Sequence, residues 1–156
     1  MFLIIEPRDY NKDFLMLSDK TKNNIMNDGY FHRLYYSDED GTSQGLFLGF
    51  ELHQVSVDKY FNKLKCEFDA KRNTKIIEFI KNIEKSVMNT LPDKNGKQPT
   101  SRIGEQLENG FIKIFSNDTH VEPVKFSSVK LLLKISGIWT SDREYGVTFR
   151  FFFIRQ

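Results

Sequence analysis

The chain has 156 residues, of which 39% are hydrophobic and 28% charged, and its formal net charge is +2. That length suits a single domain, residues 1–156, with a real core. The composition excludes a generically disordered chain, and so small a net charge does not by itself argue for nucleic acid. The distribution of charge says more. Residues 1–70 hold 8 basic and 12 acidic side chains, net −4, and residues 71–156 hold 15 and 9, net +6. The C-terminal half therefore has the material for a positive groove. Phe is frequent, at 15 residues, and aromatics reach 14%, a bias toward sheet. With Cys66 alone there is no intrachain disulfide framework, and a reducing, intracellular compartment is expected. No stretch approaches the ~20 apolar residues that cross a bilayer, so no membrane partner is expected.

In chain order, Met1 to Ile5 reads as a first strand and Phe14 to Leu17 as a short second one, with Asp19 to Asn24 a turn or one helical turn. Tyr30 to Tyr36 is a further strand. The acidic, glycine-rich run Asp38 to Gly45 then reads as a loop. Leu46 to Leu52 and Lys59 to Phe68 are the next strands, the latter placing Leu64, Cys66 and Phe68 opposite Phe61, Lys63 and Lys65. Thr74 to Leu91 carries Ile76, Ile77, Ile80, Ile83, Val87 and Leu91 at helical spacing, with Asn73 or Thr74 as cap and Pro92 as the bound. Lys75, Lys81 and Lys85 fall on its wetter sides. Asp93 to Thr100 is a flexible loop, Ser101 to Leu107 forms one or two helical turns, Phe111 to Phe115 is a short strand, and Asn117-Asp118 is its turn.

The last 27 residues read as one aromatic-rich hairpin: Lys130 to Trp139, a turn over Thr140 to Gly146, and Val147 to Ile154. Strict alternation puts Leu131, Leu133, Ile135 and Trp139 on one face and Lys130, Leu132, Lys134, Ser136 and Ile138 on the other. On the return arm Val147, Phe149, Phe151 and Phe153 oppose Thr148, Arg150, Phe152 and Ile154. Strands, helix, strand, hairpin predict a mainly β fold with one long helix, arranged as an OB-fold-like antiparallel barrel, with an α+β sandwich as the alternative.

No catalytic or metal-binding constellation is legible, and no cofactor is expected. His32, His53 and His120 stand far apart and beside no cysteine pair, and there is no phosphate loop, dinucleotide fingerprint or nucleophile elbow. The acids Asp38, Glu39 and Asp40 sit in a loop where solvent suffices. Groups suited to a single-stranded polyanion do recur on strands: cations for phosphates and rings for bases. Lys63, Lys65, Lys134 and Arg150 are the expected phosphate partners. Tyr36, Trp139 and Phe152 are the expected stacking surfaces, and Lys94 and Lys97 lie on a loop able to close over a strand.

The segment Leu133 to Phe152, LKISGIWTSDREYGVTFRFF, resembles the ending of a family of single-stranded DNA-binding proteins of large DNA viruses of eukaryotes. Lys134, Gly137, Ile138, Trp139, Glu144, Tyr145, Gly146, Thr148 and Arg150 carry the likeness, over about an eighth of the chain. The resemblance implies an OB-like fold, protection of single-stranded DNA during viral replication, and a place in the host cytoplasm or nucleus. Single-stranded DNA, or RNA, is thus the leading expected partner. A structural or protein-interaction module, dimerising through the C-terminal hairpin, is the first alternative, and an enzyme acting on nucleic acid the second.

Overall fold

The computed structural model describes residues 3–22, 29–114 and 123–154. The strands are β1 (Ile4–Ile5), β2 (Leu15–Leu17), β3 (Thr21–Lys22), β4 (Tyr30–Asp38), β5 (Gly41–Gln44), β6 (Leu46–Tyr60) and β7 (Lys63–Phe68). Helix α1 (Thr74–Asn89), β8 (Gln98–Thr100), α2 (Arg102–Glu108), β9 (Phe111–Ile114), β10 (Val124–Thr140) and β11 (Glu144–Phe153) complete the chain. The protein is mainly β with one long helix, as its pattern of alternation and one helical stripe requires.

Two strands organise the sheet. β10 pairs antiparallel with β6 from Val124 to Ile135 and with β11 from Leu131 to Thr140, and its last residues, Gly137 to Thr140, pair with β4. The main path runs β2-β4-β10-β6-β7-β9. Short parallel additions, β1 on β6 and β8 on β11, finish it. β9 curls round to bring Cα atoms within 8 Å of β11, but no ladder joins them, so the sheet does not close.

Where the chain departs from simple alternation, a local device is responsible. One extra residue, Ser136, bulges between the Ile135–Phe149 and Gly137–Thr148 pairs. At Gly137 the backbone of β4 comes so close that a Cβ would lie 2.2 Å from the His32 carbonyl oxygen, and only glycine permits this crossing. Gln54 has a φ of 56°, and beyond it Val55 and Val57 continue the buried side begun by Leu48, Phe50 and Leu52.

Several boundaries differ from the sequence reading. Gly41–Gln44, read as loop, forms a strand because Tyr35 to Asp38 can pair with it around a two-residue turn. β6 runs on to Tyr60, and the single strand expected from Lys59 is two arms of a tight hairpin. The C-terminal turn is shorter than expected, Ser141 to Arg143, since Thr140 pairs with Tyr145. Gln98–Thr100, read as flexible loop, adds to β11. Thr21–Lys22, expected as part of a turn, pairs with β4. Asn117-Asp118, Phe115 and His120 lie outside the described residues.

The helices fill the inner side of the curl. Ile77, Ile80, Ile83 and Val87 of α1 are buried with Leu131, Leu133 and Ile135 of β10, Phe151 of β11, and Cys66 and Ile112 of β7 and β9. Each such aliphatic side chain contributes roughly 1.5–3 kcal/mol by leaving water. Two buried polar residues lock the helices. Asn73 takes the N-cap position of α1, as expected, but its side chain makes no capping bond: it accepts from the His53 amide at 2.8 Å and donates to the His53 carbonyl at 3.1 Å. Glu84 accepts from the amides of Ile103 and Gly104, at 2.9 and 3.0 Å, and so satisfies the first turn of α2.

Candidate nucleic-acid interface

The side of the sheet turned away from the helices carries the chemistry. Ladder partners point to one side of a sheet, so register assigns the rows directly. Across β6, β10 and β11, Phe47, Lys134 and Arg150 form one row, and Gly49, Leu132 and Phe152 the next. Lys134 and Arg150 are thus directly opposed on neighbouring strands. Like charges in that position disfavour the sheet. Lys134 lays its Nζ 5.6 Å from the centre of the Phe47 ring, which is largely covered. Phe152 is half-buried.

Beyond the bulge, β4 continues the outer face. Arg33 is paired with Gly137 and Phe31 with Trp139. Phe31, Arg33, Gln44, Lys134 and Ser136 line a depression of about 320 Å³. Arg33 and Arg150 are exposed, Lys134 and Phe31 half-buried. In the ladders Lys134 stands between Phe47 and Arg150, and Arg33 stands opposite Gly137. The next cation along, Lys130, stands opposite Glu51.

The extra residue Ser136 exchanges the two residues that follow. Ile138, expected on the basic face, is fully buried, and Trp139, expected on the core face, shares the outer side with Phe31. It is nevertheless only 9% exposed. The ring lies on Gly146, where a Cβ would come within 2.9 Å of it, and the Arg102 guanidinium covers it at 5.3 Å. Trp139 is a covered ring at the end of the face, not an open stacking platform.

The other expected residues go elsewhere. Tyr36 is a core residue, 2% exposed, between the rings of Tyr10 and Phe14, its hydroxyl accepting from the Asn11 amide at 3.2 Å. Burial raises its pKa. It offers no surface to a base. Lys65 is held by Glu67 at 3.0 Å and stands opposite Asp58, and Lys63 is exposed at the start of β7. Val57 beside them pairs with Val124, ten residues or about 33 Å of strand from Lys134. Lys94 donates to the Leu91 carbonyl at 3.2 Å, just past the end of α1. Lys97 lines a separate cleft of about 780 Å³ with Tyr30, His32, Asp93 and Thr140. Of the nine expected residues, then, Lys134, Arg150 and Phe152 come together, with Trp139 at the margin.

Phe31, Arg33, Gln44 and Arg102 were missed. Parity already separated Phe31 and Arg33 from His32 and Leu34, but nothing local places β4 beside the end of β10. Cys66 is fully buried, and burial pushes its thiol up to about 12. Among the described residues no cluster of three or more His, Cys, Asp or Glu could hold a metal ion, and no helix is long and apolar enough to cross a membrane. No protein-family model, curated protein or solved structure matches the chain.

Proposed function

We propose that this protein binds single-stranded DNA with little sequence preference, along the outer face of β4, β10 and β11. The observation that carries the reading is the in-register pair Lys134 and Arg150, with Arg33 beside them and the rings of Phe31 and Phe152 on either side. Cations carried on three neighbouring strands and turned to one side of the sheet suit a phosphate chain laid across them. Partly exposed rings flanking the cations suit bases of any identity, because every base has a π-face. Fluorescence anisotropy with a labelled poly-dT strand of about 30 nucleotides, at low and high salt and against a duplex, tests this. Salt-sensitive binding that prefers the single strand is expected, and no binding at low salt would remove the reading. An RNA strand of equal length decides between the two nucleic acids.

A second reading, a protein-interaction module, has one observation of its own. Val124 and Phe126 are 41% and 42% exposed, and among the described residues no strand pairs the free edge from Val124 to Val129. Concentration-dependent dimerisation in light scattering, lost on Phe126→Lys, would favour it.

A further inference from the structure

We infer that the tip of the β6–β7 hairpin is a second docking point for the same strand, with Phe61 stacking on a base some distance from the outer-face cations. This rests on the reading of the previous section and extends it from one contact region to two.

Phe61 and Asn62 form the two-residue connection between the paired residues Tyr60 and Lys63. Phe61 has a φ of 54°, whereas Asn62 does not have a positive φ, and this is the pattern of a type II′ turn. Such a turn reserves its first central position for glycine, because a side chain there is strained. A bulky aromatic is among the worst residues for it. Nor does the core explain Phe61, whose side chain is 81% exposed, the most exposed large hydrophobic described. Neither turn formation nor packing therefore accounts for a phenylalanine here.

The surroundings favour a nucleic-acid base. Tyr60 meets Phe61 edge-to-face at 4.9 Å and Phe111 at 5.7 Å, which props the exposed ring from behind. Lys113 lays its Nζ 5.3 Å from the Tyr60 ring. Lys59 and Lys63 are exposed on either side of the turn. A supported ring among lysines is the arrangement that stacks one base and neutralises the phosphates flanking it. One ring on a two-residue tip offers too little apolar surface to hold a lipid bilayer by itself.

The two regions are far apart. Lys134 is paired with Phe47, and Phe61 lies fourteen residues further along β6 and its turn, at most about 46 Å away along the strand. At the ~3.4 Å per nucleotide of a stacked strand, spanning both regions takes up to about 14 nucleotides, whereas five cover about 17 Å. A strand of about five nucleotides reaches only one region.

Phe61→Gly separates the roles, since it removes the ring while relieving the turn. The variant should melt no lower than the parent, keep its affinity for a five-nucleotide dT strand, and lose about tenfold for a 30-nucleotide strand. Lys63→Gln with Lys113→Gln should reduce the salt slope for the long strand by about 1.4 and leave the short strand unchanged. Unaltered binding of the long strand by both variants would overturn the second docking point. So would a loss confined to anionic phosphatidylserine vesicles, which would make the tip a membrane contact. If the parent binds neither strand, the proposed function itself has failed, a result distinct from either.

Discussion

Replacing Lys134 and Arg150 together by glutamine tests the outer face where it is most specific. A single strand loses about 0.7 of a counterion for each phosphate neutralised. Arg33, Lys134 and Arg150, the three cations assigned to this face, then predict a slope of log K on log salt of about −2.1 for a strand that covers this face alone. The double variant retains Arg33, and its slope should fall to about −0.7. Between about 50 and 200 mM salt the parent should lose about 18-fold in affinity and the variant about 2.6-fold. Both replacements keep a long side chain on a strand and leave Phe47 and Phe152 in place, so the melting curve should still show one cooperative transition. Anisotropy titrations at four salt concentrations with a short dT strand measure the two slopes. Equal slopes for parent and variant would refute the assignment of these side chains to phosphates, whatever the affinities.

Glu84→Gln should cost about 1–3 kcal/mol, roughly 3–10 °C in melting temperature, because its NH2 group cannot accept from the Ile103 or Gly104 amide, whereas both oxygens of a carboxyl can, protonated or not. Burial holds the Glu84 carboxyl above its ordinary value, outweighing the two amides that lower it, so the folded chain binds its proton more tightly than the unfolded one. The parent's advantage over Glu84→Gln should therefore be largest below about pH 4.5 and shrink as pH rises through the raised value, as melts from pH 4 to 7 would show. The Cys66 thiol, buried and pushed up to about 12, should not react with an aromatic disulfide reagent at pH 8 until denaturant is added. Gly137→Ala should destabilise by about 1–3 kcal/mol in urea titrations, since its methyl would meet the His32 carbonyl oxygen at 2.2 Å and the Phe31 ring at 2.6 Å.

Much of this architecture was legible from residue periodicity. The stripe of isoleucines from Ile77 to Val87 announces α1, and the alternation of Leu131, Leu133 and Ile135 with Lys134 announces a strand with one apolar and one basic side. Those are local properties, since a helix repeats every 3.6 residues and a strand every two wherever they fold. The cluster of Lys134, Arg150 and Phe152 followed from the same alternation on two arms joined by a short turn. Bulges and crossings are not local. Ser136 slips by one residue because β10 must leave β6 and take up β4, and that single insertion moves Ile138 into the core and Trp139 out under Arg102. Tyr36 and Tyr35 look alike in sequence, and only the neighbours Tyr10 and Phe14 decide which is buried. Arg33 joins the basic face through a strand about a hundred residues away in the chain. Which residues alternate, and where a helix must lie, is therefore written in local periodicity. Which alternating faces meet is settled only on folding, because pairing partners distant in sequence choose the register and a one-residue shift inverts every side chain beyond it.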